Sequence, residues 1–143
     1  MRVVIDTNIW ISGLLWKGLP WKLLCLAEEG EVELCLTPAM LEELISVLAY
    51  EKFEPRLRQL DLTQADLLTY VMSIASVFDV HREGPVIVEV DPDDDVFLHC
   101  ATTSEASYVV SGDHHLLDLK VYADIPILTI REFFERAFPK QIE

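Results

Sequence analysis

The residues best suited to chemistry are acidic and scattered along the chain: Asp6, the pair Glu42-Glu43, the run Asp91-Pro92-Asp93-Asp94-Asp95, and Asp113. Each has a plain structural role open to it. Asp6 follows the apolar run Val3-Val4-Ile5 and precedes Thr7-Asn8, where Asp and Asn favour turns and helix N-caps. Glu42 and Glu43 fall near the start of a helix, where acids complement the dipole. Cap and dipole effects contribute about 0.3–1 kcal/mol each on an exposed surface, and they do not require four acids together. A divalent cation would relieve the repulsion within Asp91–Asp95, because Mg²⁺ and Mn²⁺ prefer carboxylate and water oxygens. A calcium loop fits less well, since the D-x-D-x-D-G pattern with a distal Glu is absent.

If Asp6, Glu43, one of Asp94 and Asp95, and Asp113 converge, they form a carboxylate cradle for one or two cations. The chemistry of such a cradle is phosphodiester hydrolysis. One cation activates the attacking water, and a second, about 3.5–4 Å away, steadies the leaving oxygen. Asn8 and Ser111 are placed to hydrogen-bond the ligands or a phosphate. Glu43 is preferred to Glu42 because Met40 and Val47, three before and four after it, set it beside apolar surface.

The elements that must position these acids can be read from periodicity and caps. Residues 2–6 form a short buried strand. A helix covers 21–30, with Pro20 at its start and Gly30 past its end. A strand covers 32–36. A helix then starts at Thr37-Pro38 and runs to residue 50, with the stripe Leu41, Leu44, Ile45 and Leu48 facing a sheet. Thr63 caps a second long helix that the apolar spacing carries through Phe78. Residues 86–90 are strand-like, and 91–106 form a helix with an acidic first turn. Strands at 108–111 and 126–130 and a terminal helix at 131–138 complete the chain. Alternating strands and helices imply an α/β fold, a mostly parallel sheet with helices on both faces. Ligands of such sheets bind outside the carboxyl ends of the strands, where Asp6 and Asp113 fall.

Composition narrows the function. The 143 residues suffice for one domain, 1–143, and 51% of them are hydrophobic. No apolar run is long enough to cross a membrane and no secretory signal opens the chain, so a cytoplasmic location is expected. Cys25, Cys35 and Cys100 read as buried thiols in a reducing compartment. The net charge of −14 works against sequence-independent binding of nucleic acid, which rests on phosphate neutralisation. Lys52, Arg56 and Arg58 are the densest basic group, either a solvated patch or a phosphate or partner contact. Trp10, Trp16 and Trp21 suit core packing or an interface. His114-His115 lacks the spacing of a zinc site; His81 and His99 read as a surface residue and a helix-face residue.

The order VVIDTN, TPAMLEEL, DPDDDVFLHCA and YVVSGDHHLLDL resembles the PIN-domain family, and within it the VapC-like toxins of toxin–antitoxin pairs. The likeness runs from residue 2 to about 138. It implies a three-layer α/β/α sandwich with a central, mostly parallel sheet and an Mg²⁺- or Mn²⁺-dependent endoribonuclease. It also implies frequent homodimers and often a cognate antitoxin. Asp6, Glu43, Asp94 and Asp113 match the family's four acidic positions, with Asp95 a further candidate ligand. Substrate would be RNA, gripped by metal and by Lys or Arg across a dimer. The rival within the fold is an interaction module bound by an antitoxin without catalysis. Two other acidic-pocket folds fit less well. Haloacid-dehalogenase-like phosphatases need an Asp where Asn8 stands, and phospho-receiver domains need a Lys where the chain has Thr129-Ile130-Arg131.

If Asp94 is a ligand, Asp94→Asn removes metal-dependent activity yet leaves the apo protein as stable as wild type or more so, because a like charge leaves the cluster. A thermal melt well below wild type would make Asp94 a structural cap instead.

Overall fold

Strand β1 (Arg2–Ile5) is apolar without alternation, and Val3, Val4 and Ile5 are all fully buried. β2 (Glu33–Leu36) likewise buries Leu34, Cys35 and Leu36, and β4 (Tyr108–Val110) buries Val109 and Val110. Strands buried on both faces belong to a parallel sheet covered by helices on each side. The computed structural model, which describes residues 1–79 and 95–142, has this three-layer α/β/α arrangement. The sheet order among the described residues is β3-β2-β1-β4-β6-β5, with β3 at Ala75–Val77, β5 at Val121–Tyr122 and β6 at Ile125–Leu128. The pairings among β3, β2, β1, β4 and β6 are parallel, and β5 adds to the edge antiparallel.

The order places a switch point beside β1. From β1 the chain moves outward through β2 to β3, then returns to the other side of β1 as β4. Ile5 pairs with Val110, so both strands end at one level. Helices spring from these carboxyl ends. α1 (Thr7–Leu15) follows β1 directly; α3 (Pro38–Leu48) follows β2, with Thr37 Oγ1 accepting from Met40 N at 3.2 Å. α8 (Ile130–Ala137) follows β6 through a reciprocal capping box between Thr129 and Glu132, and buries Phe133 and Phe134.

α1 packs against α2 (Leu19–Glu28), and Gly13 makes that packing possible. A Cβ at Gly13 would lie 2.9 Å from the Pro20 carbonyl oxygen and 2.9 Å from Leu24 Cδ1. α2 starts at Leu19 with Pro20 in its first turn, and Gly30, at φ +81°, follows its end as the C′ residue.

Several expectations change. The helix from Thr63 does not reach Phe78: α5 (Gln64–Ile74) ends and β3 begins, because Ala75, Ser76 and Val77 pair with Leu34, Cys35 and Leu36. The apolar spacing through Phe78 is equally compatible with helix, and the neighbouring strand decides. Ile45 is exposed; the buried line of α3 is Met40, Leu44 and Leu48. Trp10 is core, but Trp16 and Trp21 are exposed. Cys35 and Cys100 are buried free thiols, whereas Cys25 is only half-buried. Short elements without periodicity signals also appear: α4 (Glu54–Leu60), α7 (His114–Leu117) and β5. α6 is described from Asp95 to Ser104, and the expected strand 86–90 lies outside the described residues.

Gly13→Ala is expected to destabilise the protein by about 1–3 kcal/mol in urea titration, since backbone must shift to admit the methyl group. A stabilised variant would mean that helix propensity outweighs the α1–α2 contact.

Candidate active site

Asp6 is the residue at which β1 becomes α1. It is 5% exposed. Its Oδ1 accepts from Ile9 N at 2.8 Å, so the side chain is the N-cap of α1, as the plain reading of Asp-Thr-Asn allows. Its Oδ2 has a different task. It accepts from Ser111 Oγ at 2.5 Å and from Gly112 N at 3.1 Å, both in the segment leaving β4. Asp6 N in turn donates to Val110 O, and Ser111 N to Leu128 O. The carboxylate thus ties together the carboxyl ends of β1 and β4.

Asp113 belongs to the same network. Its N–H donates to Ser111 Oγ at 2.9 Å, so one hydroxyl donates to Asp6 and accepts from the Asp113 backbone. Asp113 is half-buried, and its Oδ1 caps the short α7 by accepting from His115 N. Its charge lies near enough to raise the pKa of Asp6.

The electrostatics of Asp6 are unfavourable to its charge. Burial pushes its pKa above the ordinary value; the Ser111, Ile9 and Gly112 hydrogen bonds oppose the shift, and Asp113 adds to it. All three hydrogen-bond donors are neutral, and among the described residues no Lys, Arg or His pairs with it. A buried carboxylate with a second acid beside it and no counter-charge suits a bound cation, and the oxygen donors match a hard divalent ion. Among the described residues no three His, Cys, Asp or Glu side chains converge closely enough to hold a metal ion.

The other expected residues are placed as follows. Glu42 and Glu43 both line a cleft of about 460 Å³ with Ser46, Tyr50 and Val96. Glu43 is half-buried and Glu42 exposed, in keeping with the apolar neighbours at 40 and 47. Val96 follows Asp95, the first residue of α6, so Glu43 faces the cleft that the start of α6 also borders. Asp91, Asp93 and Asp94 lie outside the described residues, as does the side chain of Asp95. Ser111 donates to Asp6. Asn8, the second residue of α1, is exposed, and no hydrogen bond links its side chain to either aspartate. Sequence reasoning missed Gly112 as a donor, because a backbone N–H carries no signature of its own. His114 and His115 are both exposed in α7.

Because the Asp6 pKa is raised on folding, its contribution to stability is full below the ordinary value of 3.8 and is lost as pH rises through the folded value. Asp6→Asn keeps an oxygen for the α1 cap but cannot ionise. In EDTA, the stability of wild type relative to Asp6→Asn is therefore expected to fall as pH is raised from about 4 to 7. Urea titrations at several pH values check this; a pH-independent difference would mean that Asp6 is not desolvated.

Comparison with known proteins places this geometry. The family model for the PIN domain matches residues 2–115. An uncharacterized protein of Methanocaldococcus jannaschii is 30% identical over 122 residues, 84% of this chain and 76% of that protein. The crystal structure of VapBC2 from Rickettsia felis, bound to a DNA fragment from their promoter, contains a chain of similar fold. That match has a TM-score of 0.59 at 15% identity, covering 89% of this chain and 97% of the other. With the switch-point aspartate, the Ser-Gly-Asp step after β4 and this match over most of the sequence, the chain belongs to the PIN-domain family.

Proposed function

We propose that the chain is a metal-dependent endoribonuclease, one nuclease domain over residues 1–143, of the VapC-like toxin type. PIN domains are generally nucleases. The observation that carries the reading is Asp6: a buried carboxylate at the switch point, held by neutral donors, beside Asp113 and without a counter-charge. Asp6, Asp113 and Glu43, with Asp94 or Asp95, would hold Mg²⁺ or Mn²⁺. When bound, the ion supplies Lewis-acid activation of water and neutralises the charge of a scissile phosphate. The protein's own groups have separate tasks. Ser111 and Gly112 fix the orientation of the Asp6 carboxylate, and Ser111 holds the Asp113 backbone in register with it. The N-terminus of α1 lies at the same edge of the sheet, with Asn8 exposed beside it for a substrate phosphate. A cognate antitoxin, a homodimer and a cytoplasmic location belong to this reading. Among the described residues no helix is long and apolar enough to cross a membrane.

A second reading is an antitoxin-bound interaction module that has kept the fold without catalysis. The net charge of −14, which repels an RNA backbone, favours it.

The test is cleavage of a labelled single-stranded RNA with Mn²⁺ or with EDTA, together with thermal melting. Wild type should cleave only with Mn²⁺ and gain melting temperature from it. Asp6→Asn should lose cleavage by on the order of a hundredfold or more and show no Mn²⁺ stabilisation. Cleavage that persists in EDTA overturns the metal dependence, and an equal Mn²⁺ shift in Asp6→Asn overturns Asp6 as a ligand. Partner binding that survives Asp6→Asn without any cleavage by wild type supports the module.

A further inference from the structure

Five of the eleven Lys and Arg residues, Lys17, Lys22, Lys52, Arg56 and Arg58, occur in two short segments. The fold brings those segments together at the far end of α1. Arg56 Nε donates to the Leu15 carbonyl at 2.7 Å, and its guanidinium lies 5.7 Å from the centre of the Trp16 ring. Trp16 meets Phe53 edge-on at 6.3 Å, and Lys52 Nζ lies 5.1 Å over Phe53. Beside them Lys17 Nζ lies 5.5 Å over Trp21. Trp16 is 46% exposed and Trp21 39%, so core packing does not account for either indole. Glu51 and Glu54 share the second segment, yet the cluster keeps a net positive charge. Elsewhere among the described residues, Arg2 and Arg131 are neutralised by Glu33 and Glu135.

Exposed indoles interleaved with cations suit single-stranded nucleic acid: unpaired bases stack on the rings while Lys and Arg meet the phosphates. A duplex, whose bases are already stacked, could use only the charges. Position favours RNA over an acidic peptide. α1 joins the cluster to Asp6 through nine residues, a helix about 13 Å long, so a strand lying on the indoles reaches the carboxylates within a few nucleotides. From this we infer that the Trp16–Trp21–Lys17–Lys52–Arg56 cluster is a docking platform for a single-stranded stretch of the RNA substrate. The inference rests on the nuclease reading above. It gives a chain of charge −14 a local site at which phosphates are neutralised.

The experiment uses the full chain and a short fluorescein-labelled oligouridylate. Binding is read by anisotropy and tryptophan quenching in the Asp6→Asn background, and cleavage with Mn²⁺ is read in the wild-type background. Lys17→Ala/Lys52→Ala should weaken binding about tenfold and lower the slope of log K against log salt by about 1.4, two phosphates at about 0.7 each. Trp21→Ala should weaken binding by roughly fivefold or more and remove part of the quenching. In cleavage, both variants should raise KM and leave kcat unchanged, with unchanged melting temperatures showing that they remain folded. Unchanged affinity, slope and KM in the folded variants overturn the platform while leaving Mn²⁺-dependent cleavage, and so the nuclease reading, intact. Binding that depends on Lys17 and Lys52 without any Mn²⁺-dependent cleavage overturns it as a substrate platform. Unchanged RNA affinity with lost binding of the purified product of the adjacent reading frame overturns it in favour of a protein partner.

Discussion

A carboxylate fixed below the surface, where β1 gives way to α1, is the constraint around which the molecule is arranged. Asp6 is almost wholly buried, and no cation neutralises it among the described residues. It is kept in place by Ile9 N, Ser111 Oγ and Gly112 N, three dipoles that favour its charge without cancelling it. Such a group costs stability in isolation and is tolerated where a ligand completes it. The same side chain starts α1 and links β1 to β4, so two structural duties fall on one residue.

The parallel sheet makes this possible. β1 and β4 are neighbours only because the chain leaves β1 on one side and returns on the other. That reversal opens a crevice at their carboxyl ends, flanked by the helices that spring from them. Val3, Val4 and Ile5 on one strand and Val109 and Val110 on the other fill the space beneath, so the aspartates stand on a packed floor. The crevice side of the molecule gathers acids, while the far end of α1 gathers exposed indoles and cations. Net charge averages over this division. It describes the repulsion a distant polyanion meets, not what a strand encounters once it lies on the surface.

Much of this was legible from residue order. The apolar run into Asp6, Thr37-Pro38 before an amphipathic segment, and Tyr-Val-Val-Ser-Gly-Asp before a turn each carry a local signal. Caps, proline and burial on both strand faces act over a few residues and give rise to such signals. The end of α5 was not legible, because Ala75–Val77 fits a helical stripe and becomes strand only by pairing with β2. Nor was the exposure of Trp16 and Trp21, since aromatic residues mark cores and surfaces alike.

The sequence by itself determined the α/β alternation, the acids available for chemistry and the preference for Glu43 over Glu42 as the less exposed of the pair. Those properties follow from side-chain type and from spacings of two to four residues, which periodicity and capping transmit directly. Only the tertiary structure decided that Asp6 and Asp113, more than a hundred positions apart, share Ser111, and that Arg56 closes over Trp16 at the end of α1. Contacts between residues far apart in sequence depend on strand order and helix packing, which no local pattern of residues encodes.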